Sequence, residues 1–150
     1  MSQTLRAAGA ADLDALLPLL AEFHAHEQLP TTPTGRRAAL ERLLREGQRG
    51  RVVLAEQEGG PIGYGIVALG YSIEFGGIDG FVDELYVRVP HRGKGLGSRL
   101  LDALEAEATR AGAVAVHLEV DDGNERARQL YLRRGYRQHR RRLMTRKIGD

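Results

Sequence analysis

The most informative stretch of this chain is Val87-Arg88-Val89-Pro90-His91-Arg92-Gly93-Lys94-Gly95-Leu96-Gly97-Ser98, in which an apolar strand leads through a glycine-rich, basic loop into an amphipathic helix. Because glycine has no Cβ, the backbone N–H groups of such a loop can turn inward. The first turn of a helix adds unpaired N–H donors and partial positive charge, and the basic side chains of the loop add full charge. The stretch therefore predicts a seat for a phosphorylated ligand.

Two familiar phosphate-binding patterns do not fit this loop. The P-loop pattern is missing, because Lys94 is followed by Gly95 rather than by Ser or Thr. The dinucleotide pattern G-x-G-x-x-G is also missing, because Gly93, Gly95 and Gly97 are spaced two by two. What remains is Arg92-x-x-Gly95-x-Gly97, which favours a nucleotide-tailed cofactor over a phosphoryl donor. Taken alone, this pattern also fits a plain strand-to-helix turn.

Length and composition predict a single soluble domain, residues 1–150. The sequence has no apolar run long enough for a transmembrane helix and no signal-peptide pattern at its start. It contains no Cys, which excludes disulfides and thiolate chemistry and fits a reducing compartment. We therefore expect a cytoplasmic protein that does not associate with membranes.

Hydrophobic periodicity and turn residues predict an α/β (α+β) fold in the order β-α-α-β-β-β-α-β-α-β. The predicted strands are residues 5–7, 51–57, 62–69, 78–89, 113–120 and 136–145. The predicted helices begin at Asp12, at Thr32 or Thr34, at Leu96 and at Asn124. Pro18 should kink or break the first helix, and residues 23–33 are expected to form a connection.

A second motif follows the glycine loop at a defined distance: Asn124-x-x-Ala127-x-x-x-Tyr131-x-x-x-Gly135-Tyr136. Together with Arg92-x-x-Gly95-x-Gly97 and the strand at residues 82–87, it resembles the GNAT superfamily of acyl-CoA-dependent N-acyltransferases. The resemblance covers the whole sequence in order and is most specific at residues 81–136. It implies a mixed, mostly antiparallel sheet whose strands at 78–89 and 113–120 splay apart and hold acetyl-CoA.

The resemblance also implies how the cosubstrate binds. Its pantetheine arm would pair with the strand backbone near residues 86–89, and its pyrophosphate would sit on the amides of the glycine loop. An extended arm can add to an open strand edge, and a pyrophosphate suits a helix N-terminus. The expected cosubstrate-binding residues are Tyr86, Val87, Val89, Arg92, Gly93, Lys94, Gly95, Leu96, Gly97, Ser98, Asn124 and Tyr131.

The same resemblance suggests the catalytic groups. Tyr131 would protonate the departing thiolate, since a phenol is protonated at neutral pH. Glu84 or Glu119 would take a proton from the ammonium group of the acceptor, and the choice between the two stays open. Strand alternation places Glu84 and Tyr86 on one face and Asp83 with Leu85 on the other. Without its family context, Tyr131 would be a core tyrosine and Asn124 a helix N-cap.

The histidines do not have metal-ligand spacing. His24, His26 and Glu27 lie where the family's first two helices border the acceptor pocket, but each is interpreted as a loop polar residue. His117 is a candidate to pair with a neighbouring carboxylate. The basic run at residues 133–147 is interpreted as a solvated strand face rather than a nucleic-acid surface, because aromatic residues are scarce there.

The sequence leaves the acceptor open between a small-molecule amine and a peptide N-terminus. Acidic residues near the expected pocket favour a cationic amine. A homodimer is compatible with the family, and a nucleic-acid partner is not expected. The competing function is a CoA-binding sensor or structural module without turnover, against which the presence of Glu84, Glu119 and Tyr131 argues.

Overall fold

The structure is a computed structural model that describes residues 2–149. The molecule divides after Leu118 into two compact units, and each is described by itself. Within residues 2–149, no helix is both long enough and apolar enough to cross a membrane.

The first unit is built on a five-stranded sheet in the order β1-β2-β3-β4-β5. Successive strands pair antiparallel from β1 to β4, and β4 pairs with β5 in parallel. This confirms the expected mixed, mostly antiparallel sheet. The strands are β1 (Gln3–Ala7), β2 (Gly50–Gln57), β3 (Gly60–Ser72), β4 (Gly77–Val87) and β5 (Ala115–His117).

Helices cover both faces of this sheet. The helices α1 (Leu13–His26) and α2 (Pro33–Arg45) pack on one face, and α3 (Leu96–Arg110) packs on the other. Both faces of β2 are therefore buried: Val52 and Leu54 contact the α1 side, while Val53 and Ala55 contact the α3 side. Such a two-sided strand has a continuous apolar run instead of strict alternation.

The first helix differs from the prediction. It continues through Pro18 and ends at His26, so Phe23 and His24 are helical and do not belong to a connection. The α2 helix begins as expected, with Thr32 as its N-cap and Pro33 in its first turn. The Thr32 hydroxyl accepts a hydrogen bond from the Gly35 N–H at 3.0 Å.

A β-bulge interrupts β4. Ile66 of β3 stands opposite Glu84, but the next residue, Val67, stands opposite Val82, so Asp83 is an extra residue in β4. Val82 and Leu85 consequently both pack on the α3 side, although they are three residues apart. The predicted alternation, which places Asp83 on the face of Leu85, is wrong at this point because the bulge resets it.

The last sheet strand of the first unit is shorter than predicted. The pairing of β5 with β4 covers only residues 115–117 against residues 79–81, and ends two residues before the bulge. Beyond Phe81, no other described strand pairs with the outer edge of β4. The two strands therefore leave an open stretch of edge where the sequence predicts a splayed cleft.

The second unit contains α4 (Glu125–Arg133), whose N-cap is Asn124. Gly135 follows the helix with a left-handed φ of 94°, as expected for a helix C-cap. The predicted strand at 136–145 is wrong: no strand is assigned between Arg134 and Gly149. The segment carries mostly like charges, and its apolar Leu143 and Met144 are 71% and 92% exposed, so it has little to bury on a sheet.

Candidate active site

The loop between β4 and α3 has the backbone that its glycines predict. Gly93 and Gly95 have φ angles of 79° and 83°, in the left-handed region that other residues rarely adopt. Gly95 is the N-cap of α3, and a Cβ at Gly93, Gly95 or Gly97 would meet no protein atom within 4 Å. The space beside these three glycines is therefore free of other protein atoms.

The amides of this loop are available as donors. His91 and Arg92 donate to the carbonyls of Arg88 and Val89, and the next amide to bond is Arg99, which donates to the carbonyl of Gly95. Among the hydrogen bonds of residues 2–149, none uses the amides of residues 93–98. These donors lie at the positive end of α3 beside basic side chains, an arrangement that fits the pyrophosphate of CoA.

The outer edge of β4 provides backbone groups next to the loop. The Arg88 amide donates to Ile62 of β3 at 2.9 Å, and Val87 stands opposite Gly63. In an antiparallel ladder this geometry points the N–H and C=O of Val87 away from β3, toward the open edge. Arg92 Nε donates to that Val87 carbonyl at 2.8 Å. The edge thus fits an amide-bearing arm, with Arg92 beside it.

Glu84 lies at the centre of a buried polar group on the α1 side of the sheet. Its Oε1 accepts a hydrogen bond from the Tyr64 hydroxyl at 2.6 Å, and its Oε2 is 2.7 Å from Nε2 of His24. The side chain of Glu84 is 13% exposed and that of His24 is 9% exposed. A carboxylate held by two donors in this way is fixed in position and little screened by water.

His24 is connected in turn to the start of α2. Its Nδ1 lies 2.8 Å from Oγ1 of Thr31, and the guanidinium of Arg36 donates to that same oxygen at 3.1 Å. Thr31 is exposed. An unbroken series of polar contacts therefore leads from the protein surface at Thr31 to the half-buried carboxylate of Glu84.

Aromatic rings surround these groups. Phe23 contacts the rings of His24, Tyr64 and Tyr86, with centroid distances of 5.9, 6.4 and 5.7 Å. The Tyr86 hydroxyl donates to Glu22 at 3.0 Å, and burial together with Glu22 raises the pKa of that phenol. Burial and the charge of Glu84 also raise the pKa of Tyr64, so both phenols remain hydrogen-bond donors.

The two candidate bases differ in their surroundings. Glu84 is half-buried and hydrogen-bonded, as described above. Glu119 is exposed and lies beyond the end of β5, in the second unit, so the alternation argument does not apply to it. Asp83, the extra residue of the bulge, is exposed as a residue, but partial burial of its carboxyl group raises the pKa of that group.

The second unit holds the other expected site residues. Tyr131 is on α4, half-buried, and its ring contacts that of Tyr136 at a centroid distance of 5.9 Å. Burial raises the pKa of Tyr131, which keeps its hydroxyl protonated at neutral pH. Asn124 Oδ1 accepts a hydrogen bond from the Ala127 amide at 3.2 Å, which is the N-cap role.

His117 has a carboxylate partner, a pairing for which the sequence makes it only a candidate. His117 Nε2 lies 3.1 Å from Asp79 Oδ2, across the pair of β4 and β5, and its ring contacts Phe75. Within residues 2–149, no group of three or more His, Asp or Glu side chains is arranged to hold a metal ion.

Sequence reasoning misses two residues of the Glu84 group. It interprets His24 as a loop polar residue, and it does not single out Tyr64. The signal for His24 is its spacing: it continues the buried stripe of Leu13, Leu16 and Leu20 by one more helical turn. Tyr64 is fully buried in β3, and only its cross-strand position reveals the contact with Glu84.

Comparison with known proteins identifies the family. The model of the acetyltransferase (GNAT) family matches residues 14–136. The protein is 31% identical over 133 residues to an uncharacterized N-acetyltransferase, YhfO, of Bacillus subtilis (strain 168), with 88% of each sequence covered. It is 30% identical over 142 residues to the L-methionine sulfoximine/L-methionine sulfone acetyltransferase of Pseudomonas paraeruginosa, covering 91% of this sequence and 81% of that protein.

A solved structure agrees with these matches. The integron cassette protein HFX_CASS3, from the mobile metagenome of Cole Harbour Salt Marsh, has a TM-score of 0.84 and 29% identity, covering 97% of this chain and 91% of that chain. Fold, family model and related sequences agree along most of the length. The chain therefore belongs to the GNAT family of acetyltransferases and is an N-acetyltransferase that uses acetyl-CoA.

Proposed function

We propose that residues 1–150 form one acetyltransferase domain that acetylates a small primary amine, with Glu84 as general base and Tyr131 as general acid. The observation that carries the proposal is the environment of Glu84. Its carboxylate is little exposed and is held by Tyr64 and His24. It projects from the strand that leads directly into the glycine loop.

Acetyl-CoA supplies the acetyl group as a thioester. The amides of Gly93 to Ser98, with Arg92 and Lys94, would hold its pyrophosphate, and the outward N–H of Val87 would pair with its pantetheine arm. Arg92, which donates to the Val87 carbonyl, would exchange that contact for one with the ligand. Val89, Asn124 and Tyr131 remain proposed contacts on the basis of the family resemblance.

Glu84 would accept a proton from the ammonium form of the acceptor, which is the form that dominates at neutral pH. A neutral amine can then attack the thioester directly, and no covalent enzyme intermediate is needed. Backbone N–H groups of β4 would stabilise the oxyanion that develops on the thioester oxygen. Glu119 stays the alternative base, but it lacks the fixed, half-buried environment that Glu84 has.

Tyr131 would protonate the departing thiolate. A phenol is protonated at neutral pH and so has a proton to donate to the thiolate, and burial keeps Tyr131 in that form. Its position in the motif Asn124-x-x-Ala127-x-x-x-Tyr131 is the second support.

The proposed acceptor class is a small amine, and a relative supports it. The Pseudomonas paraeruginosa protein at 30% identity is named for its action on L-methionine sulfoximine and L-methionine sulfone, both of which are small amino acid derivatives. The carboxylate of Glu84 suits the approach of such an ammonium group. A peptide N-terminus is the competing acceptor.

The test is amine-dependent release of free thiol from acetyl-CoA by the purified full-length protein. The panel contains L-methionine sulfone, L-lysine, spermidine, an aminoglycoside and a peptide with a free N-terminus, and mass spectrometry identifies the acetylated product. Thiol release that requires a small amine supports the proposal. Binding of acetyl-CoA without transfer to any amine would instead indicate a CoA-binding module, and transfer to the peptide alone would change the acceptor class.

A further inference from the structure

A series of hydrogen bonds connects α2 to the proposed base through His24, and the donor and acceptor of each bond can be assigned. The guanidinium of Arg36 has only donors, and it donates to Oγ1 of Thr31 at 3.1 Å and to the Thr31 carbonyl at 3.4 Å. Oγ1 of Thr31 is therefore an acceptor toward Arg36. The hydroxyl hydrogen of Thr31 is then free to point at Nδ1 of His24, which lies 2.8 Å away.

Because a hydroxyl oxygen can accept twice, the contact with Arg36 permits this arrangement, and the carboxylate of Glu84 on the other side of the ring selects it for neutral His24. When Nδ1 accepts from Thr31, the ring hydrogen is on Nε2, the nitrogen 2.7 Å from Oε2 of Glu84. Neutral imidazole can then donate to the carboxylate, as the contact requires. The opposite tautomer would place a lone pair against the carboxylate oxygen at the same distance, which is repulsive.

The backbone after α1 explains why Thr31 is in reach. The Leu29 amide donates to the carbonyl of His24, and the Thr31 amide donates to the carbonyl of Leu29, both at 2.9 Å. Gln28, at the end of the helix, has a left-handed φ of 54°. This turn folds the backbone so that the Thr31 side chain meets the ring of His24.

We propose that Arg36, Thr31 and His24 are positioning residues that set the tautomer of His24 and thereby hold the carboxylate of Glu84 for proton transfer from the acceptor. The proposal rests on the role of Glu84 as base. His24 acts through Glu84 and need not touch either substrate. Tyr64 holds the other oxygen of Glu84, so the carboxylate is fixed at both ends.

The first experiment compares two replacements of His24 in the full-length protein. His24→Gln keeps a side-chain N–H donor that can reach Glu84, whereas His24→Leu removes the donor and keeps an apolar side chain of similar size. We expect His24→Leu to lower kcat by about tenfold or more, a part of the 10²–10⁴-fold that a positioned base contributes. His24→Gln should recover most of this loss, and the affinity for acetyl-CoA should change in neither variant.

The second experiment tests the tautomer of His24 by substituting Thr31, which is exposed, so the buried imidazole ring itself is left unchanged. Thr31→Val removes the hydroxyl and keeps the branched shape, and Thr31→Ser restores the hydroxyl. Thr34→Val, also exposed and in the first turn of α2, is the matched control. We expect a lower kcat in Thr31→Val, recovery in Thr31→Ser, and parent-like values in Thr34→Val.

The effect of the acceptor's charge on kcat distinguishes loss of a positioning contact from a general structural defect. The variants are assayed with an amine that the panel identifies, at about pH 7 and about pH 9.5, because a larger share of a lysine-like amine is neutral at the higher pH. The deficit of His24→Leu and Thr31→Val should shrink at the higher pH, whereas a structural defect would persist.

Outcomes for this inference and for the proposed base are distinguishable. If Glu84→Gln is slow while His24→Leu and Thr31→Val match the parent enzyme, the base stands and the positioning role is wrong. Deficits that do not change with pH, or that Thr31→Ser fails to recover, also overturn the positioning role. If Glu84→Gln is fully active, the proposed base itself is wrong.

Discussion

The hydroxyl of Tyr64 lies 2.6 Å from Oε1 of Glu84, although the two residues are not opposite each other in the sheet. Tyr64 stands opposite Tyr86, and Glu84 stands opposite Ile66, so the contact runs diagonally across β3 and β4. The pKa of Tyr64 is raised by burial and by Glu84. The phenol therefore stays protonated and donates to Glu84, fixing one carboxylate oxygen while the other faces His24.

Replacing Glu84 by Gln removes the proton acceptor and keeps the shape of the side chain. We expect kcat to fall by about 10²–10⁴-fold with acetyl-CoA binding retained, since this is the usual contribution of a general base. Steady-state kinetics and calorimetric titration with acetyl-CoA measure the two effects. Glu119→Gln is the matched comparison and should cause the smaller loss; a larger loss in Glu119→Gln would assign the base to Glu119.

Two substitutions at Gly97 test the stability of α3 and the binding of acetyl-CoA separately. It lies in the first turn of α3, and a Cβ there meets no protein atom within 4 Å. Gly97→Ala should therefore leave stability unchanged or raise it by up to about 1 kcal/mol. Gly97→Asp also places a negative charge among the loop amides and should abolish acetyl-CoA binding. Thermal unfolding and ligand titration test both variants, and undiminished affinity in a folded Gly97→Asp protein would refute the proposed pyrophosphate seat.

Tyr131→Phe tests the proposed acid. The ring and its contact with Tyr136 remain, and only the hydroxyl is lost. We expect chemistry to slow by about 10- to 1000-fold, because a thiolate is a tolerable leaving group even without protonation. Acetyl-CoA affinity should change by less than about 1 kcal/mol.

Rapid-quench measurement of a single turnover reports the chemical step of Tyr131→Phe directly. An acyl donor with a better leaving thiol should recover part of the loss. Parent-like chemistry, or a defect that does not depend on the leaving group, would leave Tyr131 with a packing role only.

Asp12 gives a pH-dependent prediction of stability. Its carboxylate accepts two hydrogen bonds from Arg6, at 2.7 and 3.0 Å, and one from the Gly9 amide at 2.8 Å. These contacts, led by Arg6, lower its pKa in the folded protein. The stabilisation is therefore complete above the unfolded pKa of about 3.9 and is lost as the pH falls through the lower, folded pKa.

Asp12→Asn should cost about 1 kcal/mol at neutral pH, because Arg6 is partly exposed and solvent weakens the pair. The difference in unfolding free energy between variant and parent should shrink at acid pH. Urea unfolding at several pH values measures it. Asp14→Asn is the control, since Asp14 is 86% exposed in its pair with Arg37; an equal effect in both variants would contradict the prediction.

The sheet, the starts of the three helices of the first unit and the glycine loop are predictable from sequence because they depend on local signals. Thr32 and Pro33 mark the start of α2, and the spaced leucines of α3 mark its buried face. The segment that follows α4 is mispredicted for the opposite reason. Its alternating residues resemble a strand, but a strand requires apolar side chains that a sheet can bury, and here Leu143 and Met144 are exposed.

The site is only partly predictable. Glu84 and the loop residues follow from motifs, whereas the partners of Glu84 come from β3 and α1, 20 and 60 residues away in sequence. No local pattern specifies contacts over such separations. The end of α1 also depends on tertiary contacts, because His24 is stabilised in its buried position by Glu84 and Thr31.

The extra residue at Asp83 has a consequence for deletion variants. Gly80 and Val82 before the bulge face the α3 side, as do Leu85 and Val87 after it. Removing Asp83 would join the two halves of β4 into a regular strand without moving any of these core residues to the opposite face. A bulge also bends and twists its strand, so the shortened β4 should be straighter beyond Phe81 than the parent strand, whose extra residue is Asp83. A single-residue deletion is thus expected to preserve the packing of the sheet while changing the course of the open edge of β4, so the number of backbone residues at this position shapes the edge that the cosubstrate is proposed to use.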